Sequence, residues 1–264
     1  MEEKKINEEK LKTIAQFKMF DDTFMSAVFD GRIEETSLLI RVILNRDDIT
    51  VVSVKAQHYI TNLYGKESRL DIYANDTNGN AYHFEVQRKL AGASVQRARF
   101  LGALVDSRLL NRGMDYPDIP DRYTIFITEK DNFEAGLPVY NAENTIKELN
   151  NRPLGDGAHI VYVNGDYRDT STPIGELMHD FFCDKAEDII NPLLRDRVHY
   201  LKDTEGGRGE VCELMDNIIN EEKIDMAKDA IKANDLTLEQ IAKTLRLPLA
   251  FVEELSKQMI VTPQ

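Results

Sequence analysis

Residues 69–87 read RLDIYANDTNGNAYHFEVQ, and this stretch decides the fold class. Side chains alternate between the two faces of a strand, so Leu70 and Ile72 share one face while Asp71 lies on the other. The second half alternates in the same way and places Glu85 on its polar face. The Asn-Asp-Thr-Asn-Gly-Asn segment between the halves consists of turn-forming residues. The sequence therefore predicts a β-hairpin with one carboxylate on each strand.

The predicted hairpin brings these two carboxylates together. If the strands pair antiparallel about Asn78, Asp71 lies directly opposite Glu85. Directly opposed carboxylates repel each other, and a hard divalent cation with oxygen ligands removes that repulsion. Two interpretations follow: a metal site of the kind that cuts phosphodiester bonds, or a half-exposed hairpin with ordinary acidic residues on its solvent face.

A basic segment follows the hairpin in an otherwise acidic chain. The formal net charge is −13 and the pI about 4.9, but residues 87–112 contain six Arg and Lys residues and one acid. Residues 93–111 have the spacing of a helix that ends at Gly113. A positive helix next to two carboxylates suits a phosphate backbone; ion pairs with acidic residues elsewhere are the alternative. The basic residues that we expect to meet nucleic acid are Arg88, Lys89, Arg97, Arg99 and Arg108.

A third carboxylate lies upstream of the hairpin. Residues 33–44 carry apolar side chains at helical spacing, which predicts an amphipathic helix with Glu35 on the side that faces the core. A glutamate on an inward face needs a partner such as a metal, a metal-bound water or a basic side chain. The alternative is that the helix dipole favours a Glu in the first turn.

The order of these elements resembles the PD-(D/E)XK nuclease superfamily, and within it the Rpn group of recombination-promoting nucleases and transposases. The shared order is a helix with an acid, a hairpin with Asp and then Glu-x-Gln, and a basic helix. Further matching stretches are residues 113–116, 123–127, 177–182 and 197–200, so the resemblance covers most of residues 17–200. It implies an α/β fold with a restriction-endonuclease-like core, in which helices flank a mixed central sheet, and a small C-terminal helical appendage.

The resemblance also implies roles for individual residues. Asp71 and Glu85 match the two metal-binding carboxylates of the superfamily. The main-chain carbonyl of Val86 lies where one completes the metal shell. Glu35 matches the helix acid that often hydrogen-bonds a metal-bound water, and Arg97 matches a basic position that meets the phosphate.

Gln87 departs from the usual superfamily pattern, which more often has Lys at this position. That Lys helps to orient and activate the attacking water, whereas Gln can hydrogen-bond but carries no positive charge. Gln is usual here in the Rpn-like group, so we expect a catalytic role for Gln87. The implied activity is that of a Mg²⁺-dependent endodeoxyribonuclease, with Mn²⁺ as a second usable ion, which hydrolyses DNA in recombination or transposition. The alternative is a catalytically weak or inactive relative that binds nucleic acid or protein, because Gln87 is uncharged and the chain is acidic.

The rest of the sequence predicts the organisation of the chain. Residues 1–16 form a charged arm, residues 17–202 the nuclease-like domain, and residues 203–264 a helical segment that starts at the glycine-rich breaker 205–209. A capping box at 237–240 opens a helix-turn-helix-like pair. Residues 201–264 contain eight basic and thirteen acidic residues, which favours packing or homodimer formation through these helices over DNA binding.

Further elements complete the α/β pattern. The remaining predicted strands span residues 51–56, 123–128 and 159–163, and the remaining predicted helices span residues 172–185, 188–200 and 211–233. We expect a surface position for His83.

Several classes of protein are excluded on composition. No apolar run is long enough to span a bilayer and no basic-then-apolar signal opens the chain, so we expect no membrane partner. Cys183 and Cys212 offer neither a zinc motif nor a disulfide framework, which is typical of a reducing cytoplasm. The sequence therefore predicts a cytoplasmic protein that acts on DNA.

Overall fold

The computed structural model of this protein describes residues 8–60, 68–110 and 113–261. The chain divides into two compact units, Met1–Val211 and Cys212–Gln264. The first unit is a mixed α/β structure in which helices flank a six-stranded mixed sheet. This confirms the α/β class, while the more specific nuclease-like core stays a prediction.

Helices and strands alternate along most of the first unit. Within the described residues the α-helices are α1 (Glu8–Gln16), α2 (Asp22–Phe29), α3 (Ile33–Leu44), α4 (Val95–Leu109), α5 (Pro173–Phe182), α6 (Pro192–Asp203), α7 (Glu205–Ala233), α8 (Leu238–Leu245) and α9 (Leu249–Val261). The strands are β1 (Val51–Ile60), β2 (Ser68–Asp76), β3 (Ala81–Gln87), β4 (Arg122–Thr128), β5 (Val139–Ala142), β6 (Thr145–Ile146), β7 (Arg152–Pro153) and β8 (Ala158–Asn164). Among the helices described, none combines the length and the apolar character that crossing a bilayer demands.

The central sheet has the strand order β1-β2-β3-β4-β8-β5. The first three strands form an antiparallel meander, β3, β4 and β8 run parallel, and β5 pairs antiparallel with β8. Parallel neighbours need a crossover connection, and α4 supplies it between β3 and β4. Strand β3 therefore lies in the interior of the sheet, with paired strands on both sides.

The hairpin of β2 and β3 forms in the predicted register. Ile72 pairs with Phe84, and the same register continued by one residue places Asp71 opposite Glu85. The alternative interpretation, a half-exposed hairpin with its acidic residues on the solvent face, is wrong, because both faces of β3 are buried. His83 is fully buried, and burial lowers its pKa to about 3. The expectation of a surface histidine fails because β3 is a central strand and not the edge of an isolated hairpin.

Helix α4 carries the basic residues and packs on the sheet. Its first turn is capped by Ser94, whose hydroxyl accepts the backbone N–H of Arg97 at 3.3 Å. Its apolar face, with Leu101 and Val105, packs in one buried cluster with Phe126 of β4. The helix lies within the predicted span 93–111, of which residue 111 is outside the described residues.

Most other predicted elements are present with shifted ends. The helix predicted over residues 33–44 is α3, and the predicted strands 51–56, 123–128 and 159–163 correspond to β1, β4 and β8. Strands β5 to β7 were not predicted, because they are short and carry exposed or half-exposed side chains without a clear alternation. In the N-terminal arm the described residues form α1, and residues 1–7 lie outside the described part.

The sequence predicts a boundary at the glycine-rich stretch 205–209. In the structure this stretch is helical and lies inside α7. The hydroxyl of Thr204 accepts the N–H of Gly207 at 3.0 Å and begins the helix. A Cβ at Gly207 would lie 2.0 Å from the carbonyl oxygen of Tyr200. Glycine therefore permits a close approach to the end of α6, and the division between the two units falls further along α7.

The second unit consists of the remainder of α7 together with α8 and α9. The predicted capping box is confirmed: Thr237 and Gln240 exchange hydrogen bonds between side chain and backbone. One buried cluster joins the three helices and contains Ala227, Ile241, Ala242, Val252 and Leu255. The apolar stripes of α8 and α9 are thus packed inside the unit. A homodimer through these helices stays a prediction.

Candidate active site

The two hairpin carboxylates lie side by side and are withdrawn from solvent. Glu85 is fully buried and Asp71 is nearly so. The N–H of Val86 donates to Oδ2 of Asp71 at 2.9 Å, and Nη2 of Arg97 lies 2.5 Å from Oε2 of Glu85. The other oxygen of Glu85, Oε1, is buried with no hydrogen-bond partner in the described part of the chain. The pair thus has unused ligand capacity at a place where polar atoms are normally satisfied.

The pKa values of both carboxyl groups are raised. Burial raises the pKa of Asp71 to about 7, and the negative charge of Asp22 adds to this effect. Burial, followed by the charge of Asp71, raises the pKa of Glu85 well above its ordinary value. Without a cation, ionising both groups is therefore costly, and the pair retains a proton near neutral pH. A divalent cation would displace that proton.

Asp22 is the residue of this group that sequence reasoning missed. It is the first residue of α2 and is half exposed. Its charge acts on Asp71 and on Glu85. Its carboxylate lies 3.5 Å from Nη2 of Arg69 and accepts a hydrogen bond from Gln57 at 2.9 Å. An acid in the first turn of a helix is common because the helix dipole favours it. The sequence therefore offered no signal that separates an ordinary first-turn acid from an acid of the site.

The structure does not bring Glu35 into this group. Glu35 is buried on α3, as predicted. Among the described residues, Asp22 is the helix acid whose charge raises the pKa values of the carboxylate pair. Glu35 is not among the main causes of either shift. By position, Asp22 is the better candidate for the helix acid that the resemblance assigns to Glu35.

Gln87 lies at the edge of the site, beside the 3₁₀ turn Leu90–Ala93. A Cβ at Gly92 would come within 1.9 Å of Oε1 of Gln87, so the amide packs directly on this glycine. The carbonyl oxygen of Gly92 in turn accepts a hydrogen bond from Nη1 of Arg97 at 3.1 Å. One turn of backbone therefore connects the Gln87 amide with the guanidinium that holds Glu85. The predicted roles of the Gln87 side chain and the Val86 carbonyl stay predictions.

The predicted nucleic-acid contacts divide into two groups. Arg97 is at the carboxylates, and Arg88 lies near the same end of the sheet, where it pairs with Asp21 at 3.2 Å. Arg99 lines a separate cavity near Asp106 and Arg122. Arg108 follows Arg97 by eleven residues along α4, which places it roughly 16 Å away along the helix axis. Lys89 is exposed beside Arg88.

The charges and donor atoms of the site fit a hard divalent cation. Three carboxylates, from Asp22, Asp71 and Glu85, face the guanidinium groups of Arg69 and Arg97. With all groups ionised this cluster has an excess of one negative charge, and all of its candidate ligand atoms are oxygens, as Mg²⁺ and Mn²⁺ prefer. Oε1 of Glu85, which is buried and has no hydrogen-bond partner among the described residues, is the clearest candidate ligand atom.

Among the described residues, a different group of three side chains places its ligand atoms close enough together to hold a metal ion. His179, Asp180 and Cys183 at the end of α5 place ligand atoms within 4.8 Å of one another. Both oxygens of Asp180 already accept backbone N–H groups, from Ile190 and Asn191, at 2.8 and 2.9 Å. Burial raises the pKa of the Cys183 thiol to about 11, so the sulfur is protonated in the metal-free state. The group therefore secures the connection from α5 to α6.

Comparison of the chain with protein-family models, with curated proteins and with solved structures gave no match in any of the three. The function is therefore inferred from the residues of this chain and from the resemblance stated above.

Proposed function

We propose that this protein is a metal-dependent nuclease that hydrolyses phosphodiester bonds in DNA. The observation that carries the proposal is the buried pair of Asp71 and Glu85, with raised pKa values and an unpartnered oxygen, next to Arg97. Buried carboxylates that repel each other destabilise a fold unless a cation or a proton compensates them. Strongly perturbed carboxyl groups of this kind are typical of functional sites.

In this proposal Asp71, Glu85 and Asp22 hold the cation, which is Mg²⁺, with Mn²⁺ as a substitute. Such an ion, when bound, polarises a phosphoryl oxygen and lowers the pKa of a coordinated water. The raised pKa of Asp71 means that its carboxyl must release its proton before it can bind the ion. Metal affinity should therefore fall as the pH drops below about 7.

The other site residues serve the phosphate and the water. The side chain of Arg97 is 38% exposed, so it can hold Glu85 and still present N–H donors to a phosphate oxygen. The Gln87 amide can donate to and accept from the attacking water, which fixes the orientation of the water without removing its proton. The overall negative charge slows the approach of DNA, so the basic side chains of Arg88 and Lys89 are proposed to guide the backbone to the site.

A specific observation also favours a second candidate, a protein that binds DNA without cutting it. The guanidinium of Arg97 already neutralises Glu85 at 2.5 Å, as a cation would. If this ion pair replaces the metal, the site has a positive side chain and a buried acid but no means of activating water. The place in recombination or transposition that the resemblance implies stays a prediction under either candidate.

Nicking of supercoiled plasmid by the purified full chain separates the two candidates. Reactions would contain Mg²⁺, Mn²⁺, Ca²⁺ or EDTA, with the wild type, Asp71→Asn and a matched control, Asp118→Asn, at an exposed position. The nuclease proposal expects nicking with Mg²⁺ or Mn²⁺ that is lost in Asp71→Asn and retained in Asp118→Asn. A wild type that shifts DNA in a gel but nicks nothing with any ion supports the second candidate. Equal nicking by Asp71→Asn places the activity elsewhere.

A further inference from the structure

Gln57 on β1 lies at the level of the two carboxylates along the sheet. The register pairs Ala56 with Ile72 and His58 with Leu70, and it leaves Gln57 unpaired at the level of Asp71. Asp71 in turn lies opposite Glu85 when the register of β2 and β3 is continued by one residue. Gln57, Asp71 and Glu85 therefore lie at one level of three neighbouring strands.

The backbone at Gln57 is held in an unusual conformation. Its φ is +50°, in the left-handed region, within a strand whose other residues are extended. Gln has no special tolerance for this region, unlike Gly or Asn. The neighbouring N–H of Ala56 donates to Oδ1 of Asp30, just beyond the end of α2, at 2.8 Å. Strain of this kind persists only where the surroundings enforce it, and it is concentrated at functional sites.

The side chain of Gln57 is directed by this conformation toward the beginning of α2. Its Nε2 donates to Oδ1 of Asp22 at 2.9 Å and to the hydroxyl of Ser26 at 2.6 Å. The Ser26 hydroxyl donates to the main-chain oxygen of Asp22 at 2.9 Å. Both donors of the amide are therefore used to hold the carboxylate and the first turn of the helix that carries it.

The remaining polar atom of the amide is unused. Oε1 of Gln57 is buried and has no hydrogen-bond partner within the described ranges. A residue that served only to anchor β1 to α2 would gain nothing from a buried acceptor without a partner, which costs free energy. An acceptor next to a hydrated cation has a natural partner, because Mg²⁺ usually retains several waters whose hydrogens point outward.

We propose that Gln57 is a positioning residue of the metal site: its amide N–H groups fix Asp22 as the third carboxylate, and its free Oε1 accepts a hydrogen bond from a water of the bound cation. This inference rests on the proposed function, because it assumes a cation at Asp71 and Glu85. In this proposal Gln57 is not itself a ligand of the cation: it acts through Asp22 and through a water of the cation.

Titration of the full chain with Mn²⁺ alone, by calorimetry, tests this role. Asn at position 57 tolerates a positive φ better than Gln, but it is one methylene too short to reach Asp22 and Ser26. A purely structural role predicts that Gln57→Asn lowers the Tm without metal, because its hydrogen bonds to α2 are lost, and leaves the Kd for Mn²⁺ unchanged. The positioning role predicts a Kd weakened about 10-fold or more, the usual effect of losing a residue that orients a metal ligand. Gln16→Asn, exposed at the end of α1, is the matched control.

A double-mutant cycle with Asp22→Asn adds a readout that a structural role would not move. Because Gln57 acts partly through Asp22, Gln57→Asn should weaken Mn²⁺ binding less in Asp22→Asn than in the wild type. Should Gln57→Asn fail to fold, Ser26→Ala removes one anchor of the amide and should weaken binding in the same direction. If Gln57→Asn binds Mn²⁺ with wild-type affinity, this inference alone is overturned; Ser26→Ala decides in the same way if Gln57→Asn does not fold. If the wild type does not bind Mn²⁺, or binds it equally well after loss of Asp71, the proposed function is overturned as well.

Discussion

Replacement of Asp71 by Asn should stabilise the metal-free protein, and more so at pH 8 than at pH 5.5. Burial and the charge of Asp22 raise the pKa of Asp71 from 3.8 to about 7, so the folded protein binds this proton more tightly than the unfolded chain does. The stability that the proton contributes is fully present below the unfolded pKa and is lost as the pH rises through about 7. An amide has no such proton, yet it retains an oxygen to accept the N–H of Val86.

The size of this effect follows from the two pKa values. One pKa unit corresponds to about 1.4 kcal/mol. Relative to the unfolded chain, ionisation of Asp71 therefore costs the folded state about 4 kcal/mol at pH 8 and about 2 kcal/mol at pH 5.5. The cost of burying an amide in place of a carboxyl is the same at both pH values and cancels in the comparison. The gain of the variant over the wild type should grow by about 2 kcal/mol between the two pH values, or about 4–8 °C in Tm.

Thermal unfolding in EDTA at pH 5.5 and pH 8 measures this difference, with Asp118→Asn as the exposed control. Removal of the charge at position 71 also lowers the cost of ionising Glu85, which acts in the same direction. Addition of Mg²⁺ at pH 8 should raise the Tm of the wild type and leave that of Asp71→Asn unchanged. If the Tm difference between Asp71→Asn and the wild type is the same at both pH values, the carboxyl titrates normally and the electrostatic reasoning is refuted.

Four further substitutions, the last two compared with each other, test the site and the fold. Arg97→Gln removes the positive charge beside buried Glu85. Because Arg97 is 38% exposed, we expect the free energy of unfolding at pH 8 to fall by about 2 kcal/mol, less than for a fully buried pair. Calorimetry should show a smaller loss of stability at lower pH, where Glu85 is protonated. Gly92→Ala directs a Cβ to within 1.9 Å of Oε1 of Gln87, so the plasmid assay should show reduced nicking with little change in Tm, since the end of a flexible side chain can move. Gly207→Ala should lower the Tm, because its Cβ would lie 2.0 Å from the backbone oxygen of Tyr200. Gly209→Ala has open space at its Cβ and should raise stability by about 0.5–1 kcal/mol, as expected inside a helix. Equal effects at the two glycines would contradict the close approach of α6 and α7.

Local patterns in the sequence predicted the parts of the fold that depend on neighbouring residues. The alternation around Asn78 is a property of one hairpin, so the register that sets Asp71 opposite Glu85 could be derived from the chain itself. The apolar spacing of residues 33–44 likewise placed α3 and the inward side of Glu35. These features need no knowledge of what packs against them.

The rest depended on contacts between distant segments, which no local pattern encodes. The burial of His83 follows from the parallel pairing of β3 with β4, in which His83 pairs with Thr124, 41 residues further along the chain. Asp22 reaches the carboxylates because α2 packs against β1 and β2. In sequence, Asp22 and Glu35 are equally plausible acids at the beginnings of helices, and only the packing of their helices separates them.

Unsatisfied buried atoms alone do not identify the functional site of this protein. In the part of the chain that the structure describes, both ring nitrogens of His83 and the hydroxyl of Tyr162 are also buried without partners, but these side chains can remain neutral, so the cost of each is modest. At Glu85 the unpartnered oxygen belongs to an acid that faces a second buried acid. At Gln57 it accompanies a strained backbone, and the same side chain holds Asp22. A divalent cation beside these carboxylates would relieve both costs, and this is the physical reason for proposing the function at this place.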